Sequence, residues 1–133
     1  MATRSASVLP QLRDGARLRV LNATRGLVLA ECADVAASPW RRMRGLLGRP
    51  PLVAGAGLLI VPCQGVHTLG MAYPIDVVHL DRSAVVRRVL RELRPWRLGP
   101  LVWRSHMVLE LASGIATVSE GDQLELLPLP GGS

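Results

Sequence analysis

Apolar residues along the chain fall into short runs broken by turn-forming residues, and this spacing predicts a small β-rich domain. Leu18 to Ala23 and Leu27 to Ala33 are two such runs joined by Thr24-Arg25-Gly26, which predicts a β-hairpin. Ser38-Pro39-Trp40 then offers a favoured N-cap and a favoured first helical residue, and Gly45 supplies a stop, so a short helix is expected between them. Trp40, Met43 and Leu47 share one face at spacings of three and four. They are expected to pack on the sheet, with Arg41 and Arg42 pointing elsewhere. Leu58 to Val61 reads as a strand stopped by Pro62. Ile75 to Leu80 and Ala84 to Leu90 read as two more, joined by Asp81-Arg82-Ser83. Alternation puts Asp76, Val78 and Leu80 on one face and Ile75, Val77 and His79 on the other, so one aspartate lies on an otherwise apolar face.

Residues 91–104 hold two prolines, two tryptophans and four arginines, an irregular composition that predicts a long ordered loop. Met107 to Leu111 and Gln123 to Leu127 complete the strands, with breaks at Ser113-Gly114 and Gly121-Asp122. No internal repeat is visible. The expected fold class is α+β, mainly antiparallel β, forming a curled sheet or small barrel with one or two short helices. Residues 1–17 read as a flexible N-terminal arm, 18–128 as a single domain and 129–133 as a frayed tail.

Several separated blocks stand in an order that resembles the domain of unknown function 192 family of prokaryotic proteins, over roughly residues 18–128. They are the hairpin ending in Ala30-Glu31 and Ala33, the helix leading into Arg44-Gly45-Leu46-Leu47-Gly48-Arg49, and the Gly57-Leu58-Leu59-Ile60 strand. The Met71 to Asp81 block and Leu109-Glu110-Leu111-Ala112-Ser113-Gly114 with Gly121-Asp122 complete the set. The resemblance implies a compact, mainly β fold and brings no established activity. Many relatives show an aromatic and a longer polar side chain around the central methionine, where this chain has His67-Thr68-Leu69-Gly70 and Ala72-Tyr73.

Composition changes this picture little. A chain of 133 residues fits one domain, and with three Trp, one Tyr and no Phe the core must be aliphatic. The net charge of +6 comes entirely from arginine, with abundant Ala, Gly, Leu, Val and Pro. This reads as coding bias before it reads as a dedicated anion surface. No run reaches the roughly 18 to 20 apolar residues of a membrane helix, and the start lacks a secretory apolar stretch, so a cytoplasmic protein without a membrane span is expected. Cys32 and Cys63 form no CxxC pair and are expected to be reduced.

Candidate chemistry crowds between Cys63 and Asp81. Cys63, His67 and Asp76 are the residue types of a nucleophilic triad. Cys63, His67, His79 and His106 are types that ligate zinc, but the spacing of Cys63 to His67 suits a helix turn better than this Pro- and Gly-flanked segment, and no metal or cofactor is expected. A polar pocket joining Arg44 or Arg49 to His67, Thr68 and Asp76 is better supported, because a buried aspartate needs a partner and Arg44 is the natural one. Glu110, between Leu109 and Leu111, poses the same choice between ion pair and ligand clamp. The candidate pocket or structural polar network is therefore Arg44, Arg49, Cys63, His67, Thr68, Met71, Asp76 and Glu110. Arg91, Arg94, Arg97 and Arg104 near Trp96 and Trp103 mix bases and aromatics as single-strand binders do, but solvated arginines on a Trp-anchored loop are the commoner arrangement, so nucleic acid is disfavoured. The leading expectation is an accessory domain that binds a small molecule or a protein segment through the 63–76 region. A cysteine- or metal-dependent hydrolase is the alternative.

Overall fold

The computed structural model describes residues 12–130. In chain order the elements are β1 (Arg17–Asn22), β2 (Leu27–Ala36), α1 (Pro39–Arg44), β3 (Gly55–Ile60), β4 (Ile75–Leu80), β5 (Val86–Leu93), β6 (Met107–Ala112) and β7 (Leu124–Pro128). The strands form one sheet in the order β5-β4-β6-β3-β2-β1-β7. Every neighbouring pair is antiparallel except β2 and β3, which α1 and the residues after it connect as a parallel crossover. The sheet curls until its two edge strands meet at one end. There Val85 bridges Gln123, Val86 N–H donates to Asp122 O at 2.9 Å, and Leu124 N–H donates to Ala84 O at 2.9 Å. The result, among the described residues, is a mostly antiparallel half-barrel with one short helix, as the sequence pattern predicts.

Two apolar clusters lie on opposite faces of the sheet. Leu18, Val20, Leu59, Val78, Leu80, Met107, Leu109, Leu111, Leu124 and Leu126 fill the inside of the curl. Leu58, Ile60, Ile75, Val77 and Val108 project outward and are covered by Leu46 and Met71. The central strands are thus buried on both faces, β4 at all six positions, which is why they read as unbroken apolar runs.

Asp76 faces inward, as its alternation with Val78 and Leu80 predicts. Ile75 pairs with Leu93 and Val77 with Leu90, so Asp76 alone opposes both Arg91 and Glu92. This is a β-bulge, and Glu92 adopts φ 52° within it. The displaced Glu92 N–H donates to Asp76 Oδ1 at 2.8 Å, and Ala116 N–H donates to Oδ2 at 2.9 Å. Arg91 donates to the carbonyls of Ala116 and Val118, which ties the strand's far end to the 113–120 connection.

Three expectations are corrected. Of the predicted packing residues, Leu47 packs on the outer cluster, but Trp40 and Met43 are 66% and 65% exposed and α1 buries no residue at all. The helix ends after six residues, and Gly45 at φ 54° turns the chain, so Leu46 is the residue delivered to the core. The loop predicted from Arg91 begins after Leu93, since the bulge lets β5 absorb three more residues. The predicted partnership of Arg44 with Asp76 is replaced by the two backbone amides. Of the predicted arm and tail, residues 1–11 and 131–133 lie outside the described residues. Leu12 and Ala16 pack on the inner cluster, and Leu129 N–H donates to Arg17 O at 2.9 Å.

Two outcomes follow. Asn at position 76 presents an N–H₂ to one of two donors, so Asp76→Asn is expected to lower the unfolding free energy by about 3 kcal/mol in urea denaturation at neutral pH. A loss under about 1 kcal/mol would show that the bulge does not depend on the carboxylate. Asp122 accepts from Asn22 Nδ2 at 2.9 Å, Arg25 Nε at 2.7 Å and Ser119 N–H at 2.9 Å, and these hold its carboxyl down at about 2. Because this is below its unfolded value, its contribution is complete above pH about 4 and is lost as pH falls toward about 2. Asp122→Asn should flatten the stability–pH curve in that window.

Candidate functional site

The segment 61–73 crosses the outer face of the sheet and is laced to the strap 94–106. Cys63 N–H donates to His106 O at 2.8 Å, Val102 N–H to Gln64 O at 2.9 Å and Gly99 N–H to Val66 O at 2.9 Å. Buried Thr68 joins the strap by both backbone and side chain, its N–H donating to Arg97 O at 2.9 Å and its hydroxyl to Arg94 O at 2.5 Å. The two segments approach closely, and a Cβ on Gly99 would stand 3.1 Å from Val66 O. The predicted 63–76 region is therefore a double wall built from two segments distant in sequence.

The nucleophilic triad does not assemble. The thiol of Cys63 donates to Gly65 O at 3.1 Å, and burial pushes its pKa up, away from thiolate. His67 Nδ1 accepts from Leu69 N–H at 3.2 Å, while Asp76 lies on the inner side of the sheet. Among the described residues no three of His, Cys, Asp and Glu stand together as a metal site. Buried His79 lies 2.8 Å by Nδ1 from Ser105 Oγ. Ser105 gives its proton to Cys63 O at 2.9 Å, so Nδ1–H must be the donor between them. Burial pushes the pKa of His79 down to about 4, so its imidazole is neutral, and Nε2 has no partner. Arg44 Nε donates to Leu47 O at 3.0 Å, and Arg49 pairs with Asp34 at 3.4 Å, so neither reaches Asp76. In the Trp- and Arg-rich stretch, Arg91 is engaged by backbone carbonyls, and Arg104 stacks over exposed Trp103 at 4.7 Å.

The structure brings together Glu110, Cys63, His67 and Met71. Leu109 and Leu111 point inward, so Glu110 points outward from β6, beneath segment 61–73. It is 4% exposed, with no ion pair or hydrogen-bond partner among the described residues. Burial pushes its carboxyl up to about 8, so it is protonated at neutral pH. It borders a cavity of about 60 Å³ closed by Ile60, Cys63, Met71 and the end of α1. Arg42 lines the same cavity. Its Nη1 donates to Pro62 O at 3.4 Å, but its buried Nε–H has no acceptor. Beyond Arg42 and Cys63 an open cleft of about 930 Å³ extends past Arg82, Arg104 and His106.

Arg42 was missed by sequence reasoning, which assigned it away from the packed side of the helix. Trp40 and Met43 are in fact mostly exposed, and half-buried Arg42 lines the cavity beside Met43 and Leu47. The pattern of residues carries no signal for that placement. Glu110 was visible as a lone acid within an apolar strand.

Residues 20–126 match the family described as uncharacterized ACR, the domain of unknown function 192. The chain belongs to this family. No curated protein matches it. Two solved structures share the fold of this domain of unknown function 192 protein. One, from Sinorhizobium meliloti 1021 and described as a "putative transcription regulator", has a TM-score of 0.69 at 23% identity, covering 84% of this chain and 92% of its own. The other, a protein of unknown function from Novosphingobium aromaticivorans DSM 12444, has a TM-score of 0.69 at 20% identity, covering 82% and 83%. At these identities the likeness establishes the shared half-barrel.

The raised carboxyl of Glu110 has a measurable cost. The unfolded chain ionises it near its model value of 4.5, while the folded protein keeps the proton until about 8. The folded state thus binds more protons, and stability falls as pH rises between those values. Glu110→Gln removes the titration, so it should gain on the wild type by on the order of 4 kcal/mol between about pH 5 and about pH 8 in urea denaturation.

Proposed function

We propose that this protein is an accessory binding domain that takes a small molecule, or the end of a partner segment, into the cavity over Glu110. The unpartnered carboxyl of Glu110 carries this reading. A buried polar group without a hydrogen bond costs on the order of 1 to 3 kcal/mol, and a ligand that supplies the bond returns that free energy as affinity. The rigid wall of segment 61–73 and the strap favours a preformed site, which lowers the cost of binding. A thiol-based hydrolase finds less support in this geometry, since the Cys63 thiol donates to Gly65 O and not to an imidazole, and burial pushes its pKa up.

The test is a thermal-shift screen of small carboxylic acids, phosphates, amines and neutral polar compounds, run on the wild type and on Glu110→Leu. Leu fills the same space without an orphan polar group, so the variant is expected to melt higher than the wild type while losing the shifts that ligands produce. Hits that shift both proteins equally would remove the site from this cavity.

A further inference from the structure

We propose that the molecule bound over Glu110 carries an oxyanion, a carboxylate or phosphate, held between Arg42 Nε–H and the Glu110 carboxyl, with its remaining atoms in the arginine-lined cleft. This rests on the reading of the cavity as a ligand site and names the chemistry of its occupant.

Two independent groups point to an acceptor. A guanidinium can only donate, and the Arg42 Nε–H is buried with nothing to accept it. A protonated carboxyl also donates, and among the described residues no hydrogen bond engages Glu110, which keeps 4% of its surface open. Both line one cavity, so a ligand whose oxygens enter it is offered both donors.

The surrounding charge agrees. From the helix side the cavity is faced by Arg42 and Arg44, and from segment 61–73 by His67 and Cys63, whose thiol burial keeps neutral. Tyr73 also feels Glu110, and burial keeps its phenol neutral too. Glu110 itself is the only acid lining the cavity. In the adjoining cleft the single acid, Asp81, is paired with Arg87 at 2.7 Å, which leaves Arg42, Arg82 and Arg104 to set the field. Burial and Arg82 keep His106 toward its neutral form. An ammonium ligand would pass these arginines unfavourably, and a neutral one would leave the charge of Arg42 without a counterion.

Binding must then be linked to the Glu110 proton. Ionising Glu110 replaces a donor with a like charge beside the ligand, so affinity is retained below about pH 8 and lost above it. Reciprocally, a bound anion raises the pH at which Glu110 titrates, whereas a bound cation lowers it.

The experiment follows the Glu110 side-chain carboxyl by ¹³C NMR in the full chain, titrating pH alone and with excess butyrate, inorganic phosphate or butylammonium. Butyrate, phosphate or both should move the Glu110 midpoint upward, and which does so separates a carboxylate from a phosphate site. Affinity for that probe should fall about tenfold or more from about pH 7 to about pH 9 in the wild type. It should stay level in Glu110→Gln, which keeps a neutral donor. Arg42→Gln should weaken binding about tenfold or more, and Arg42→Lys should recover part of it. A downward midpoint with butylammonium, or anion binding unchanged by Arg42→Gln, would overturn the assignment of the ligand while leaving the cavity a binding site. If neither these probes nor any compound of the wider screen responds to Glu110, the reading of the cavity itself fails.

Discussion

The carboxylate of Asp76 sits where a curled sheet is hardest to keep satisfied. Curling this sheet requires β5 to carry an extra residue opposite β4, and the bulge turns the Glu92 amide out of the ladder. The connection after β6 must also fold back across the opening, leaving the Ala116 amide without a strand partner. One buried side chain with two acceptor oxygens answers both needs. An arginine partner would have left both amides unsatisfied and added a second charge to the interior. The inner core, the meeting of the sheet's edges and the outward presentation of Glu110 all depend on this curvature.

Much of the fold is legible in the residues. The Thr24-Arg25-Gly26 and Asp81-Arg82-Ser83 turns, the Ser38-Pro39 start and the Gly45 stop are local signals, and each marks a boundary in the structure. The inward face of Asp76 is legible too, because period-two alternation survives even in a strand buried on both sides. The partners of Asp76 are not, since they arise from a bulge register and a return connection that no local pattern encodes. The outward turn of Trp40 and Met43 is hidden for a similar reason. A six-residue helix has too little length for its stripe to decide its orientation, and its caps decide instead: Ser38 accepts from Arg41 N–H, and Asp14 accepts from Ala37 and Ser38 N–H.

The site follows the same division. Glu110 was visible as an acid among leucines, whereas the cavity it shares with Arg42 depends on where segment 61–73 and the helix end cross the sheet. Asp76 and Glu110 are both buried acids on neighbouring strands, yet they differ in kind. Asp76 finds amides on the inner face and serves the fold, while Glu110 finds apolar walls, Cys63 and open space on the outer face. The direction of alternation in β4 and β6 separates a carboxylate bound to backbone amides from a carboxyl that faces the cavity.

Because α1 buries no side chain, the residues along it contribute little to the stability of the half-barrel. Arg42 and Met43 nevertheless stand at the mouth of both the cavity and the cleft. Substitutions here can therefore change what the mouth admits at small cost to folding, while the opposite wall is held by the backbone hydrogen bonds that lace segment 61–73 to the strap. Variation in ligand preference among proteins of this shape would concentrate on that one helical turn, leaving the sheet beneath it unchanged.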